Sequence, residues 1–174
     1  MRRTLLNTLA LVALIHFSRI SASAQITEAI STNSLLGVTG LAVSIGELSP
    51  GTESGGLNAG RLRADAELKL KTAGIRVIPE AGWVDSAGGA ELYLEVNTLK
   101  FGTSQYTYTI ELSVIQKVQL SREPSRATLG TTGSTSVMGV VGATKLAASV
   151  REQAGIQLDQ LIARYQAVNR AAGK

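Results

Sequence analysis

Residues 90–120 read AELYLEVNTLKFGTSQYTYTIELSVIQKVQL, and this stretch decides the fold. Apolar and polar residues alternate through 90–101 and again through 106–120. A period of two is the pattern of a strand with one buried face. Four residues, 102–105, separate the two runs, which is a spacing typical of a β-hairpin, and we predict that 103–105 form its loop. The stretch therefore predicts two long antiparallel strands.

The side chains of this hairpin also predict its register. The apolar residues of both strands can face one core only in registers that pair core-facing residues with core-facing residues. A change of register by one residue would move every side chain of one strand to the opposite face. One allowed register puts Glu95 opposite Glu111. A shift by two residues puts Asn97 opposite Glu111 and Glu91 opposite Lys117. Because like charges that face each other destabilise a sheet, we predict the second register.

A further strand precedes this hairpin. Leu41, Val43 and Ile45 alternate with small residues within 36–48, which is again strand periodicity. The stretch 49–56 reads SPGTESGG, the composition of a loop.

Residues 57–73 fit two interpretations. In a helix, their apolar residues share one face and opposite charges stand four residues apart. In a strand, apolar and charged residues alternate over 66–71. Gly74 and the β-branched run 75–78 follow, as at the end of a helix that leads into a strand. We predict a helix followed by a short strand.

The last third of the chain predicts a turn, a strand and a long helix. Residues 122–126 predict the turn, and 127–138, rich in Thr and Ser, predict a solvated edge strand. Residues 139–143 are interpreted as a link. Apolar residues then recur at intervals of three and four, which predicts a long helix with one apolar face: Ala147, Val150, Ala154, Leu158, Leu161, Tyr165 and Val168.

These elements together predict an α+β fold. We expect a two-layer sandwich in which a largely antiparallel sheet of about four strands carries two helices on one face. The predicted domain is a single one and covers residues 35–171.

The first residues of the 174-residue chain predict an export signal. Arg2 and Arg3 precede an apolar stretch, and small residues follow it up to Ala24. The apolar stretch is shorter than the roughly 20 residues that span a bilayer, and Arg19 interrupts it. We expect cleavage near Ala24, a flexible leader over 25–34, no transmembrane segment in the processed chain, and a periplasmic or extracellular location.

The composition excludes several kinds of chemistry. The chain has no Cys, and its only histidine, His16, lies in the predicted signal, so the processed chain lacks imidazole bases and thiol nucleophiles. Loss of the signal arginines lowers the net charge from +4 to +1, which gives no electrostatic reason to expect a nucleic-acid partner.

Gly51 and Gly56 have the spacing of a phosphate-binding loop, but Leu57 and Asn58 replace the Lys and Ser or Thr that the loop requires. We expect no catalytic residue, no metal and no cofactor.

The candidate binding residues are aromatic and apolar. Trp83 lies in a glycine-containing loop, and Tyr93, Phe101 and Ile115 point to the predicted outer face of the sheet. An exposed apolar face of this kind marks a partner surface, a lipid contact or an oligomer interface. The alternative is that the first helix or the Trp83 loop covers it.

The order of these elements resembles a group of exported accessory domains. They include the lipopolysaccharide-assembly lipoprotein of the outer membrane and the auxiliary lipoproteins of some ABC transporters. The segment AGIRV at 73–77 and the pattern Tyr165-x-x-Val-Asn169 are similar to small uncharacterised exported bacterial proteins. The resemblance implies two helices against a four-stranded sheet and a role as a partner, not as an enzyme. The chain departs from the lipoproteins because it has no Cys to carry a lipid.

The leading interpretation is a soluble periplasmic accessory or binding domain, not an enzyme, that contacts an envelope protein or an apolar ligand. One alternative is a periplasmic hydrolase that uses the carboxylates of Glu91 and Glu111 alone. Another is a structural homo-oligomer joined through the edge strand at 127–138.

Overall fold

The computed structural model describes residues 33–49, 52 and 56–172. The predicted signal peptide and all but the last two residues of the predicted leader lie outside the described residues. The elements are β1 (Gly40–Ile45), α1 (Ala59–Thr72), a 3-10 turn (Trp83–Asp85), β2 (Gly89–Phe101), β3 (Gln105–Leu120), β4 (Glu123–Gly142), a second 3-10 turn (Ala143–Lys145) and α2 (Leu146–Ala172).

The four strands form one open sheet in the order β1-β2-β3-β4. β1 runs parallel to β2, and the other neighbours are antiparallel. Both helices pack on the same face, where their buried residues share one cluster with the inward side chains of the sheet. The predicted α+β architecture is therefore confirmed.

Capping residues explain where α1 begins and ends. The Asn58 side chain accepts a hydrogen bond from the Arg61 backbone N–H (3.0 Å), as an N-cap does. Gly74 ends the helix with a φ of 77°, and the Ile75 N–H donates to the Leu70 carbonyl (2.9 Å). The helical interpretation of 57–73 is thus correct, with slightly shorter bounds.

The predicted short strand at 75–78 is reduced to a single bridge. Val77 forms a parallel bridge with Leu41, and the backbone of Leu41 bonds to both Arg76 and Ile78. Ile75 packs into the main core and Ile78 packs on the opposite side of the sheet, as side chains of an extended segment alternate. It protects the outer edge of β1 at one point only.

The C-terminal end of α2 holds the chain that enters β1. The Tyr165 hydroxyl donates to the Val38 carbonyl (2.8 Å), and the Asn169 side chain bonds to the Leu35 carbonyl and the Gly37 N–H (3.0 Å each). The Tyr165-x-x-Val-Asn169 pattern thus serves the fold.

The β2–β3 hairpin has the register that we rejected from the sequence. Glu95 lies opposite Glu111, and Glu91 lies opposite Ile115 instead of Lys117. The predicted register is wrong by two residues.

Burial on the core face explains the observed register. Leu92 pairs with Val114 and Leu94 pairs with Leu112, and all four side chains are buried. The predicted register would have placed Leu92 opposite the amide of Gln116. Burial of a large apolar side chain contributes about 1.5–3 kcal/mol, whereas charges on a solvated surface interact by less than about 1 kcal/mol. The core pairs therefore override the facing carboxylates.

The turn of the hairpin is also displaced by one residue. The strands leave Gly102, Thr103 and Ser104 in the loop, where we predicted 103–105. Gly102 has a φ of 61°, a conformation that disfavours any residue with a Cβ. In the predicted register this glycine would have stood within a strand.

β4 is longer than predicted at both ends. The predicted turn at 122–126 is wrong, since β4 already begins at Glu123, opposite Leu120. The predicted link at 139–143 is also wrong, since the strand continues to Gly142. At the far end, residues 139–142 each pair with β3, and this pairing overrides the local Gly signals. At the near end, Pro124 lies in a register irregularity where residues 124–126 have no partner on β3, so its missing N–H interrupts no ladder.

Gly139 allows β4 to continue across an aromatic ring. It pairs with Tyr108, a buried residue, and a Cβ at Gly139 would lie 2.4 Å from the Tyr108 Cζ atom. Such a contact requires the ring or the strand to move.

We expect Gly139→Ala to lower the free energy of unfolding by about 1–3 kcal/mol, because overpacking a filled site costs that much. Gly142→Ala is the matched control on the same strand, since a Cβ there would meet nothing nearer than 3.9 Å. Urea unfolding followed by circular dichroism measures both variants. Equal stabilities of the two variants would contradict the close packing of Tyr108 on Gly139.

Candidate functional site

The outer face is the side of the sheet opposite the two helices. It carries Ala42 and Ser44 of β1, the odd-numbered residues of β2, and Glu111, Ser113 and Ile115 of β3. On β4 the even-numbered residues from 134 to 142 point the same way. This face includes three of the four predicted binding residues.

One end of the outer face is covered. Trp83 is only 5% exposed and forms a second small core with Ala42 and Ile78, against which Val84 and Ile115 pack. We name these five residues the Trp83 cluster. The sequence left open whether the first helix or the Trp83 loop covers the outer face. The Trp83 loop covers one end of it, and α1 does not.

Glycines shape the turn that positions the indole. Gly82 has a φ of 86° just before the 3-10 turn, and the Ser86 N–H donates to the Trp83 carbonyl (3.1 Å). A Cβ at Gly89 would lie 2.6 Å from that same carbonyl oxygen. The close approach of the loop to β2 therefore depends on the absence of a side chain at Gly89.

The middle of the outer face is polar. The buried Ser44 hydroxyl donates to the Glu91 carboxylate. The Tyr93 ring lies beside Gly46, where a Cβ would be 2.8 Å from the tyrosine hydroxyl oxygen. Tyr93 is therefore half-buried at the end of β1 and does not stand out into solvent.

The two carboxylates of the hydrolase interpretation are not brought together. Glu111 lies opposite Glu95, whereas Glu91 lies further along β2, about 13 Å away at about 3.3 Å per residue. Glu95 accepts a hydrogen bond from Asn97 (3.2 Å) and Glu111 accepts one from Ser113 (3.2 Å). These bonds orient the two facing carboxylates on the surface.

The other end of the outer face is open and apolar. Leu99 and Met138 are each 70% exposed, Val140 is 58% exposed and Phe101 is 42% exposed. Thr107 of β3 lies between Leu99 on one side and Val140 on the other. We name Leu99, Phe101, Met138 and Val140 the open patch.

The predicted binding residues do not form one site. Phe101 belongs to the open patch, Tyr93 lies in the polar middle, and Trp83 and Ile115 are packed in the Trp83 cluster. Along β2, Phe101 is about 33 Å from the position opposite Ile115. Their role in binding remains a prediction.

Met138 and Val140 were missed as site residues. We predicted an edge strand that ends at position 138 and a link over the following residues. The sequence did indicate a longer strand, because apolar residues continue on both sides of Gly139: Val137, Met138, Val140 and Val141.

A polar groove of about 570 Å³ runs beside the Trp83 loop. Asp85 and Ser86 line it from the loop, and Gln116, Lys117 and Gln119 line it from β3. It contains one acidic and one basic side chain, so it has no strong preference for one charge.

A cleft of about 330 Å³ lies on the opposite side of the molecule, between α1 and α2. Leu62, Leu94 and Leu158 contribute to its apolar floor. Two ion pairs join the helices at its rim, Arg151 with Asp65 (2.6 Å) and Lys69 with Asp159 (2.7 Å). Hydrogen bonds from the Arg151 guanidinium lower the pKa of the Asp65 carboxyl, and the same bonds raise the pKa of Arg151.

Over the described residues, no group of three or more metal-ligating side chains is placed to hold a metal ion. None of the helices in that part of the chain has the length and hydropathy needed to cross a membrane.

Comparison with known proteins shows no matching family model and no matching curated protein. Two solved structures are similar over most of the chain. The PelC dodecamer from Paraburkholderia phytofirmans is 14% identical, with 75% of this chain and 90% of that chain covered and a TM-score of 0.44. A minor lipoprotein from Acinetobacter baumannii is 11% identical, with coverages of 76% and 95% and a TM-score of 0.33. At these TM-scores neither structure bears on function.

Proposed function

We propose that this protein is an exported, non-catalytic accessory domain that binds a protein of the cell envelope through the open patch. The observation that carries the proposal is the exposure of four large apolar side chains at one end of the sheet, two on β2 and two on β4 with β3 between them. Exposed apolar clusters of this kind are typical of surfaces that bind another molecule. Export rests on the predicted signal in residues 1–24.

The shape of the patch favours a macromolecule over a small ligand. Small-molecule sites are concave and bury most of the ligand, whereas the open patch lies on the sheet surface formed by β2 and β4, which flank β3 and run antiparallel to it. Its aromatic and thioether side chains, Phe101 and Met138, belong to the residue types enriched in protein interfaces. Thr107 lies between Leu99 and Val140, and Thr109 lies beside Met138, so both supply hydroxyl groups for hydrogen bonds across the interface.

The packing of the outer face explains why the patch stays exposed. The Trp83 cluster covers the far end of the sheet, but its loop returns to β2 at Gly89, well before Leu99. The helices lie on the other face. The described part of the chain thus leaves this end of the sheet to solvent, as a docking surface requires.

Crosslinking in the producing cells tests the proposal. The protein carries a tag after Lys174, and a photo-crosslinking residue replaces Phe101. We expect one reproducible envelope protein, identified by mass spectrometry, at this position. In the double variant Leu99→Lys, Val140→Lys its yield should fall at least tenfold, which corresponds to about 1.4 kcal/mol of lost binding free energy.

Leu68→Lys is the matched control, because Leu68 is a leucine of α1 with 66% exposure on the opposite side of the molecule. The crosslink should survive this change. A crosslink that survives the double variant, or that is lost in Leu68→Lys instead, would reject the open patch as the binding surface.

A further inference from the structure

β4 is the last strand of the sheet, and its outer edge is long. Among the described residues it pairs only with β3, from Glu123 to Gly142 with interruptions at residues 124–126 and 132. A bulge at Thr132 divides it, since pairing passes from Val114–Gly133 to Ile115–Thr131. Beyond the bulge, residues 134–142 form a regular edge of about 30 Å.

Over the residues that the structure describes, this edge lacks the usual protection against strand pairing beyond the bulge. Natural edges carry charged residues, Pro or a cover that stops another strand from joining. β4 has Pro124 and the charges of Glu123 and Arg126 at its start, but residues 127–142 contain no charge and no proline. The regular part of the edge is therefore the unprotected part.

At this edge the outermost apolar residues of the core are only partly buried. Val137 and Val141 point inward and pack on the main cluster, yet both are only half-buried. Their partners on β3, Ile110 and Tyr106, are buried. Another strand alongside β4 would cover the exposed sides of these two valines.

We infer that β4 pairs antiparallel with β4 of a second copy within residues 134–142, and over 136–142 when the two-fold axis lies at Gly139, so that two sheets join into one of eight strands. A two-fold interface brings each residue opposite a residue of the same patch, so the patch must be complementary to itself. An uncharged strand satisfies this condition, because no like charges meet. The inference does not depend on the proposed function.

The apolar residues favour an axis near the end of the strand. With the axis at Gly139, Val137 faces Val141 of the second copy and Met138 faces Val140, while the two Gly139 residues face each other. Apolar residues then pair with apolar residues on both faces. The interface combines backbone hydrogen bonds, as in β-augmentation, with this side-chain packing.

Sedimentation of the protein purified after export tests the pairing. We expect twice the monomer mass at micromolar concentration. Met138→Lys should raise the dimer dissociation constant at least tenfold, because an edge lysine blocks strand addition. Ser136→Lys should act in the same direction, and it is tolerated by the fold because Ser136 lies opposite Glu111.

Leu99→Lys distinguishes edge pairing from contact between two open patches. It changes the outer face two strands away from the edge, so the dimer should persist with an unchanged dissociation constant. Loss of the dimer in Leu99→Lys would overturn the edge inference, as would a monomeric wild-type protein or an oligomer that persists in Met138→Lys.

Single cysteines locate the axis, since the chain contains no Cys of its own. With the axis at Gly139, a mixture of Met138→Cys and Val140→Cys chains forms a mixed disulfide on oxidation, while each chain alone crosslinks poorly because the sulfur atoms lie too far apart. Crosslinking of Met138→Cys with itself would move the axis to that residue. Absence of all these crosslinks would overturn antiparallel pairing through 134–142.

Discussion

Trp83→Ala is expected to lower the free energy of unfolding by about 3–5 kcal/mol. The indole is the largest side chain of the Trp83 cluster, and its loss leaves Ala42 and Ile78 without their cover on the outer face. A loss of this size is a large fraction of the 5–15 kcal/mol that ordinarily separates folded from unfolded protein. The midpoint of thermal unfolding should fall by roughly 10–20 °C.

Phe101→Ala is the control for Trp83→Ala, because it removes an aromatic side chain from the open patch, where it is far less buried. Its effect should stay below about 1 kcal/mol. Chemical unfolding measured by circular dichroism compares the two variants. The wild-type protein has a single tryptophan, so its fluorescence reports on this site alone. Quenching by acrylamide as strong as that of a free indole would contradict the packing of Trp83.

Leu94→Ala is expected to cost about 2–5 kcal/mol. Leu94 points from the centre of β2 to the helices, pairs with Leu112 and is buried. It also forms part of the floor of the cleft between α1 and α2, so truncation enlarges that cleft. The cost includes the lost transfer free energy and the cavity that remains.

Leu99→Ala is the matched control on the same strand. Leu99 is an odd-numbered residue of β2 and points to the outer face, where it is mostly exposed. The same substitution there should change the free energy of unfolding by less than about 0.5 kcal/mol. Urea titrations of both variants measure the difference. Similar losses in the two variants would contradict the observed assignment of the two faces.

The two faces of the sheet therefore have different roles. The inward face is filled by both helices and sets the stability, whereas the outer face is divided between the Trp83 cluster and the open patch. Substitutions in the open patch should affect binding while leaving the fold intact. Those in the Trp83 cluster should affect the fold first.

The hairpin register shows why a local rule failed. The facing glutamates, Glu95 and Glu111, were visible in the sequence, and the rule against like charges is sound. The observed register pairs Leu92 and Leu94 with apolar residues of β3. The helices bury these residues, and this burial makes the apolar pairing more important than the facing charges. The solvated charges cost less than a mismatch in the core.

The bounds of β4 show the same effect at a longer range. Pro124 and Gly139 are turn signals in isolation. Along β3, however, every residue from 133 to 142 has a backbone partner, and the ring of Tyr108 occupies the space that Gly139 leaves. Pro124 lies in an irregular part of β4 where residues 124–126 have no partner on β3. Neither the partner strand nor the ring can be inferred from the composition of 123–142 alone.

The sequence by itself determined the architecture: the period of two predicted β1 and the hairpin strands, the spacing of three and four predicted α2, and Gly74 marked the end of α1. These signals are local, because capping and amphipathic spacing depend on residues within a turn or two of each other. Only the tertiary structure decided the register, the length of β4, the cover that Trp83 provides and the exposure of Met138 and Val140. Each of these depends on which distant surfaces meet, and burial against those surfaces outweighs the local preference of any single residue.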